Sequence, residues 1–385
     1  MNEIYLDGAA TKPMDSDVLI EYLYTSRAFG YNPSSPYEVG KEARRKLNEA
    51  RLNIAEYVDC TPEEIVFTSG GTEGNNMMLR GFADGTKNSE TFVLITSQIE
   101  HPSILRTAEF IENHYSNSHV YYIAVDREGY IDLDLLTSTI EAELSENVKP
   151  ENILISIQGA NSEIGTKQDL LRIIHMAEEY ECFVHSDLVQ DFPHSSPSSY
   201  HLLDSFTVSG HKIGAPKNCG FVYISDTLRR RIAPLLHGGG HQNGLRSGTE
   251  DVSGAVCMSM CIDKLKNRND FGHPIFFRNI LTQLSNNNIN YYTNGFVGIP
   301  VLSLTFPGVS GTVLSSLLEE RGIYVSPGSA CHSMESTPSH VLKAIGLSNE
   351  DARCTIRICH NYNLGVDEYE EFTRALVDVI HLIKG

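Results

Sequence analysis

What this 385-residue chain lacks narrows its function first. No stretch approaches the roughly 18 to 20 uninterrupted apolar residues that cross a bilayer, and Met1-Asn2-Glu3-Ile4 is not the basic-then-apolar start of a secretory leader. A cytoplasmic protein with no membrane partner is expected. Basic residues are scarce: 30 Lys and Arg against 49 Asp and Glu give a formal charge of −19. That surface would repel a phosphate backbone, so nucleic acid is not an expected partner. The eight cysteines include no Cys-x-x-Cys spacing, which speaks for reduced thiols rather than a disulfide framework or a zinc site. Cys257 and Cys261, four apart in a helical pattern, read as packing residues, and no metal is expected. Repeats and low-complexity tails are also missing.

What is present is a chain too long for one core, since single cores stop growing at about 250 to 300 residues. Two lobes are expected, with Lys264 to Asp270 as the linker. Apolar runs at Ile65–Thr68, Thr91–Thr96, Val120–Ala124, Ile153–Ile157, Cys182–His185, Ser205–Val208 and Cys219–Ile224 read as strands. They alternate with helical patterns at Glu38–Tyr57, from about Asn75, at Leu133–Leu144 and at Leu170–Glu179. Such alternation predicts a mainly parallel sheet wrapped by helices, with ligands beyond the strand C-termini. Past the linker, a helix at Pro274–Ser285, strands at Ile289–Tyr292 and Val301–Phe306, a helix at Ser310–Arg321 and a strand at Ile323–Val325 are expected.

Chemistry-bearing residues cluster at those strand ends. The central stretch is Val208-Ser209-Gly210-His211-Lys212-Ile213-Gly214, an apolar strand running into a turn that offers a hydroxyl, an imidazole and an amine. A lysine there is most simply solvated, but a Schiff-base lysine needs such a partly desolvated place beside other positive charge, because the neutral amine is the nucleophile. Upstream, Asp187 and Gln190 stand at the edge of the strand through Val184, and pyridoxal phosphate needs an acid to hold its ring nitrogen protonated. Ser69-Gly70-Gly71-Thr72-Glu73-Gly74 precedes a helix and makes a phosphate cup; it matches neither common nucleotide-binding pattern. His101 emerges before another helix, where it is equally a helix cap, and Asn32 lies in a Pro- and Ser-rich turn where it is equally a turn residue. The glycine-rich loop Leu235 to Thr249 has so few apolar anchors that a partner or ligand is expected to order it. Cys331 sits among Pro, Gly and Ser, which cannot build the apolar socket of a structural thiol.

Taken together, Asn32-Pro33-Ser34-Ser35, Phe67-Thr68-Ser69-Gly70-Gly71-Thr72-Glu73, Glu100-His101, Ser209-Gly210-His211-Lys212, Arg246-Ser247-Gly248-Thr249 and Gly328-Ser329-Ala330-Cys331 resemble the cysteine desulfurases of the class V aminotransferase family, NifS/IscS-like group. The resemblance runs from Tyr5 to Arg357. It implies an α/β fold of the type I pyridoxal-phosphate class: a large cofactor domain over 14–263, and a smaller α+β domain built from 1–13 and 264–385 that carries the cysteine loop. It implies pyridoxal 5'-phosphate as cofactor. Lys212 would form the Schiff base, with Gly71, Thr72, Ser209 and His211 on the phosphate, Asp187 on the ring nitrogen and Gln190 on the phenolic oxygen. His101 would stack on the ring and shuttle protons. Arg357 would clamp the substrate carboxylate near Asn32, and Thr249 would reach a partner's phosphate in a homodimer. L-cysteine would become L-alanine, its sulfur held on Cys331 as a persulfide for an acceptor protein such as an iron-sulfur scaffold.

Two departures from the family pattern stand out. Leu188 replaces a small residue and would press on the ring face opposite His101, and Ser162 replaces a cofactor-facing amide. The alternatives are a related lyase or aminotransferase acting on selenocysteine or another amino acid, and a cofactor-bearing scaffold without turnover.

Overall fold

The computed structural model describes residues 3–87, 89–195, 197–266, 273–328 and 338–385. Strands form where β-branched and aromatic residues run together between turn-forming stretches. In chain order they are β1 (Ile4–Tyr5), β2 (Ile65–Thr68), β3 (Phe92–Ser97), β4 (Ser118–Ile123), β5 (Ile153–Ser156), β6 (Phe183–Asp187), β7 (Ser205–Ser209), β8 (Gly220–Ile224), β9 (Tyr292–Asn294), β10 (Val301–Thr305), β11 (Ile323–Tyr324), β12 (Ser326–Pro327) and β13 (Thr355–Cys359). Seven of them form one sheet in the order β2-β8-β7-β6-β5-β3-β4. Parallel pairing joins β4, β3, β5, β6 and β7, whereas β8 is antiparallel to both β7 and β2. β2 therefore points the same way as β7, and the C-terminal ends of β2, β3, β5, β6 and β7 share one edge.

Every residue of β3, β5, β6 and β7 is buried, as strands covered on both faces must be. The cover comes from α1 (Ser16–Ala28), α2 (Glu38–Val58), α3 (Gly71–Gly85), α4 (Pro102–His114), α5 (Leu133–Ser145), α6 (Leu170–Glu179), the single turns α7 (Gly210–Ile213) and α8 (Asp226–Arg229), and α9 (Val252–Lys266). Strand alternation assigns the faces. Val93 and Ile95 of β3 join a core with α1, α2, α5, α6 and α9, while Phe92 and Leu94 join the opposite core with α3 and α4. Each fully buried Leu, Ile or Phe contributes about 1.5–3 kcal/mol. Cys257 and Cys261 pack in the first of these cores.

A separate antiparallel sheet, β12-β13-β10-β9, and the parallel pair β1-β11 lie with α10 (His273–Asn286), α11 (Gly311–Glu319), α12 (His340–Ala344), α13 (Asn349–Arg353) and α14 (Val366–Lys384). Their core joins Ile4 and Leu6 to Leu302, Leu304, Ile356, Ile358, Leu376 and Ile380. Among the described residues no helix is long and apolar enough to cross a membrane.

Four expectations needed correction. The helix expected from Asn75 begins at Gly71, and the strand expected at Ile289–Tyr292 lies at Tyr292–Asn294. The linker expected from Lys264 is still helical at its start: α9 runs to Lys266, and Lys264 bonds Asp15 at 2.9 Å and Asp17 at 2.6 Å. The loop 235–249 is ordered within its own chain by polar anchors: Gln242 accepts from Arg51 and from Phe67 N, and Arg246 pairs with Glu73 at 2.9 Å. The structure also adds β12, β13 and α12 to α14, which periodicity had not assigned.

Candidate active site

β7 passes directly into α7, so Ser209, His211 and Lys212 emerge at the sheet edge. The N-terminal segment folds over them. Lys212 Nζ donates to the carbonyls of Ala9 and, at 2.8 Å, of Ala10, and Gln190 Nε2 reaches the same Ala9 oxygen at 2.9 Å. His211 Nδ1 pairs with Thr11 Oγ1 at 3.1 Å. Burial, then the charges of Lys212, Lys217 and His101, push the His211 pKa down to about 4, leaving the ring neutral at pH 7.

Across the edge, α3 starts on β2 through Gly70, whose φ of 138° and ψ of −170° suit glycine alone. The first amides of α3 have no partner within the helix, and Gly71 and Thr72 lie in that turn. Gly74 lets the helix sit down on the sheet, since a Cβ there would lie 2.6 Å from Thr207 Cγ2 and 2.8 Å from Val222 Cγ2. Ser209 Oγ lies 3.3 Å from the place a Cβ on Gly70 would take. A serine hydroxyl and a helix N-terminus thus line one small cradle.

Asp187 ends β6 at 7% exposure. Its Oδ2 accepts from Asn75 Nδ2 at 2.7 Å and its Oδ1 from Val189 N at 2.9 Å. Both donors are neutral, and among the described residues no Lys, Arg or His nitrogen forms an ion pair with it. A buried carboxylate so placed calls for a cation that the described residues do not supply.

His101 is the N-cap of α4: its Nδ1 accepts from Ser103 N at 3.1 Å and meets Ser103 Oγ at 2.8 Å. Its ring remains solvent-accessible, yet it is surrounded closely enough that burial leads the lowering of its pKa. Asp187 opposes that shift, and Lys212 and His340 add to it. Next to it Glu100 is fully buried, accepting from Ser97 Oγ at 2.6 Å and from Gln158 N at 3.0 Å. Burial pushes its pKa up to about 8, against the hydrogen bonds from Ser97 and Gln158.

Arg357 on β13 approaches from the second sheet. Nη2 bonds Asp7 Oδ1 at 2.6 Å, Nη1 bonds the Ser162 carbonyl at 3.1 Å, and the buried Nε has no hydrogen-bond partner among the described residues. Cys331 lies outside the described residues. Its described flanks are fixed beside these groups: Ser326 is in register with Arg357, Ser339 donates to Glu163, and His340 Nε2 donates to the Glu100 carbonyl at 2.9 Å.

Other candidates sit apart. Asn32 is exposed and closes its own turn by accepting from Ser34 N at 2.9 Å, and Thr249 and the Thr72 side chain are exposed. The expectation for Leu188 needed correction. It is fully buried in the main core, and it is Val189 that faces Gly71, with Cγ2 2.9 Å from a would-be Cβ. Period-two alternation explains this, because Asp187 and Val189 share a face that Leu188 does not. Asn75 and Asp7 were not singled out from the sequence, and Glu100 entered only within the Glu100-His101 motif; an Asn just inside a helix start was the available signal for the first. Among the described residues no group of three or more His, Cys, Asp or Glu could hold a metal.

The class-V aminotransferase family model matches residues 4–364. A "Cysteine desulfurase IscS" of Dictyoglomus turgidum is 35% identical, covering 99% of this chain and 94% of its own. A protein of the same description from Methanosarcina thermophila is 34% identical over 92% of this chain and 86% of its own. Among solved structures, a "NIFS-like protein" superposes with a TM-score of 0.86 at 29% identity, covering 99% of this chain and 100% of its own. "SspA in complex with cysteine" gives 0.77 at 30% identity, covering 93% and 98%. With its cradle, its buried acid and its lysine at the strand ends, this chain belongs to the class-V aminotransferase family.

Proposed function

We infer that this chain is a pyridoxal-phosphate-dependent cysteine desulfurase that converts L-cysteine to L-alanine. The observation that carries the reading is Asp187, buried with neutral donors only, one strand away from Lys212. The residues fit the cofactor: a carboxylate awaiting a cation, a helix start with a serine beside it, and an amine at the adjacent strand end. When bound, pyridoxal phosphate supplies an electron sink for the carbanion at the substrate α-carbon.

The chain's own groups divide the remaining work. Gly71, Thr72, Ser209 and His211 bind the phosphate, Asp187 holds the ring nitrogen protonated, and Gln190 faces the phenolic oxygen. Lys212 would hold the cofactor's aldehyde and would supply the base for the substrate α-proton. His101 would lie against the ring and pass protons, while Arg357 would bind the substrate carboxylate with Asn32 nearby. Cys331 as thiolate would attack the substrate sulfur; the carbon-sulfur bond would break with its electron pair left on carbon, that carbon would take up a proton, the sulfur would stay on Cys331 as a persulfide, and alanine would leave. A second copy of the chain supplies Thr249 in trans, and the exposed Leu19, Ile20, Leu23 and Tyr24 on α1 suit such a contact. The two cores support a division into 14–263 and 1–13 with 264–385. The persulfide then passes to an acceptor protein, an iron-sulfur scaffold being one class.

Incubating the protein and cofactor with L-cysteine and reductant should yield alanine and sulfide in equal amounts. Selenocysteine and other amino acids, run in parallel, should be poorer substrates. Absence of both products from cysteine, with cofactor bound, would overturn the reading.

A further inference from the structure

Asn75 is fully buried near the start of α3, and it uses each of its polar atoms. Its Nδ2 donates to Asp187 Oδ2 at 2.7 Å and to Ser103 Oγ at 2.9 Å, and its Oδ1 faces His185 Nε2 at 3.4 Å. An ionised carboxylate only accepts and an amide nitrogen only donates, so the amide's orientation is forced. His185 must then carry its proton on Nε2 and accept on Nδ1 from Ser205 Oγ, 2.8 Å away. On the other side, Ser103 Oγ accepts from Asn75 and so turns its own hydrogen to His101 Nδ1 at 2.8 Å. His101, which also accepts there from Ser103 N, is left with its proton on Nε2.

We propose that Asn75 is a positioning residue that fixes Asp187 as an oriented carboxylate and His101 as a single tautomer, through one fully used amide. The proposal rests on the reading of Asp187 as the partner of the cofactor's ring nitrogen. One side chain thereby coordinates residues delivered by β6 and by the turn before α4, and its far end is tied through His185 to β7. A network in which every member is satisfied is stiff, and a change at its node is felt at both ends. The titratable groups facing this cluster are Asp187 and His185 on β6, Glu100 and His101 before α4, His211 and Lys212 on α7, and His340 on α12.

The test compares Asn75→Leu, Asn75→Ser and Asn75→Asp with the parent protein. Pyridoxal phosphate affinity is titrated by absorbance from pH 6 to 9, and the His101 ring is followed by 15N NMR. Asn75→Leu should weaken cofactor binding at least about tenfold at every pH and convert His101 to a mixture of tautomers. Asn75→Ser is small and polar, covers the case in which leucine prevents folding, and should show the same changes. Asn75→Asp keeps the size but, as a carboxylate, has no hydrogen to give Asp187 or Ser103 Oγ, so it too should convert His101 to a mixture of tautomers. Parent-like affinity, pH profile and tautomer in the folded variants would overturn the proposal and leave Asn75 a structural amide. Asp187→Asn separates the two ideas. If it too binds cofactor like the parent, the reading of Asp187 fails; if it alone loses affinity, only the role of Asn75 does.

Discussion

Asp187 and Arg357 are both buried charges, at 7% and 5% exposure, but they are treated in opposite ways. Arg357 is compensated within the chain by Asp7, at 2.6 Å. Asp187 receives neutral hydrogen bonds and no counter-ion from the described residues. In the first arrangement the charge is balanced, and the pair holds β13 against the N-terminal segment while Nε is left over to receive a ligand. The second is complete only when a cation arrives. A buried charge left without its partner marks where a ligand belongs more clearly than a buried ion pair does.

Four substitutions sharpen that contrast. Asp187→Asn should have the largest effect: truncating a buried charge partner costs about 2–5 kcal/mol, a loss of roughly 30-fold or more in cofactor affinity, with folding stability little changed without cofactor. If Asp187 were merely a structural acid, stability would fall and affinity would not. Asp7→Asn should do the reverse, destabilising the fold by roughly 2–3 kcal/mol in urea unfolding because Arg357 loses its counter-charge. Arg357→Leu should cost less, since Asp7 retains 20% exposure and can be solvated. Glu100→Gln should leave cofactor affinity unchanged and appear only as a pH dependence of stability. The unfolded chain releases this proton near pH 4.5 and the folded protein near 8, so stability falls as pH rises across that window. The glutamine variant should lose that slope, visible as a difference of a few degrees in Tm between pH 5 and pH 8.

Much of the sheet was legible because its strands are short apolar runs ending in polar residues, and the ends carry Thr68, Asp187 and Ser209. The start of α3 was not, since Gly70, Gly71 and Gly74 read as loop. The glycines are there because the helix must approach Thr207 and Val222, a tertiary demand that overrides propensity. β13 was hidden by Arg357, a charge tolerated in a buried strand only because Asp7, 350 residues away, meets it. The Asn75 network escaped for the same reason, as its members come from α3, α4, β6 and β7. The placement of Leu188 was within reach, since alternation from Asp187 already turns it inward.

The central claim is that a sulfur atom taken from cysteine is held on Cys331. Mass spectrometry of the cofactor-loaded protein after exposure to L-cysteine, without reductant, tests it most directly. One extra sulfur should appear on the peptide containing Cys331, and Cys331→Ser should form no alanine while still binding cofactor through Lys212. An extra sulfur on another cysteine, or alanine formed by the serine variant at the parental rate, would contradict the account.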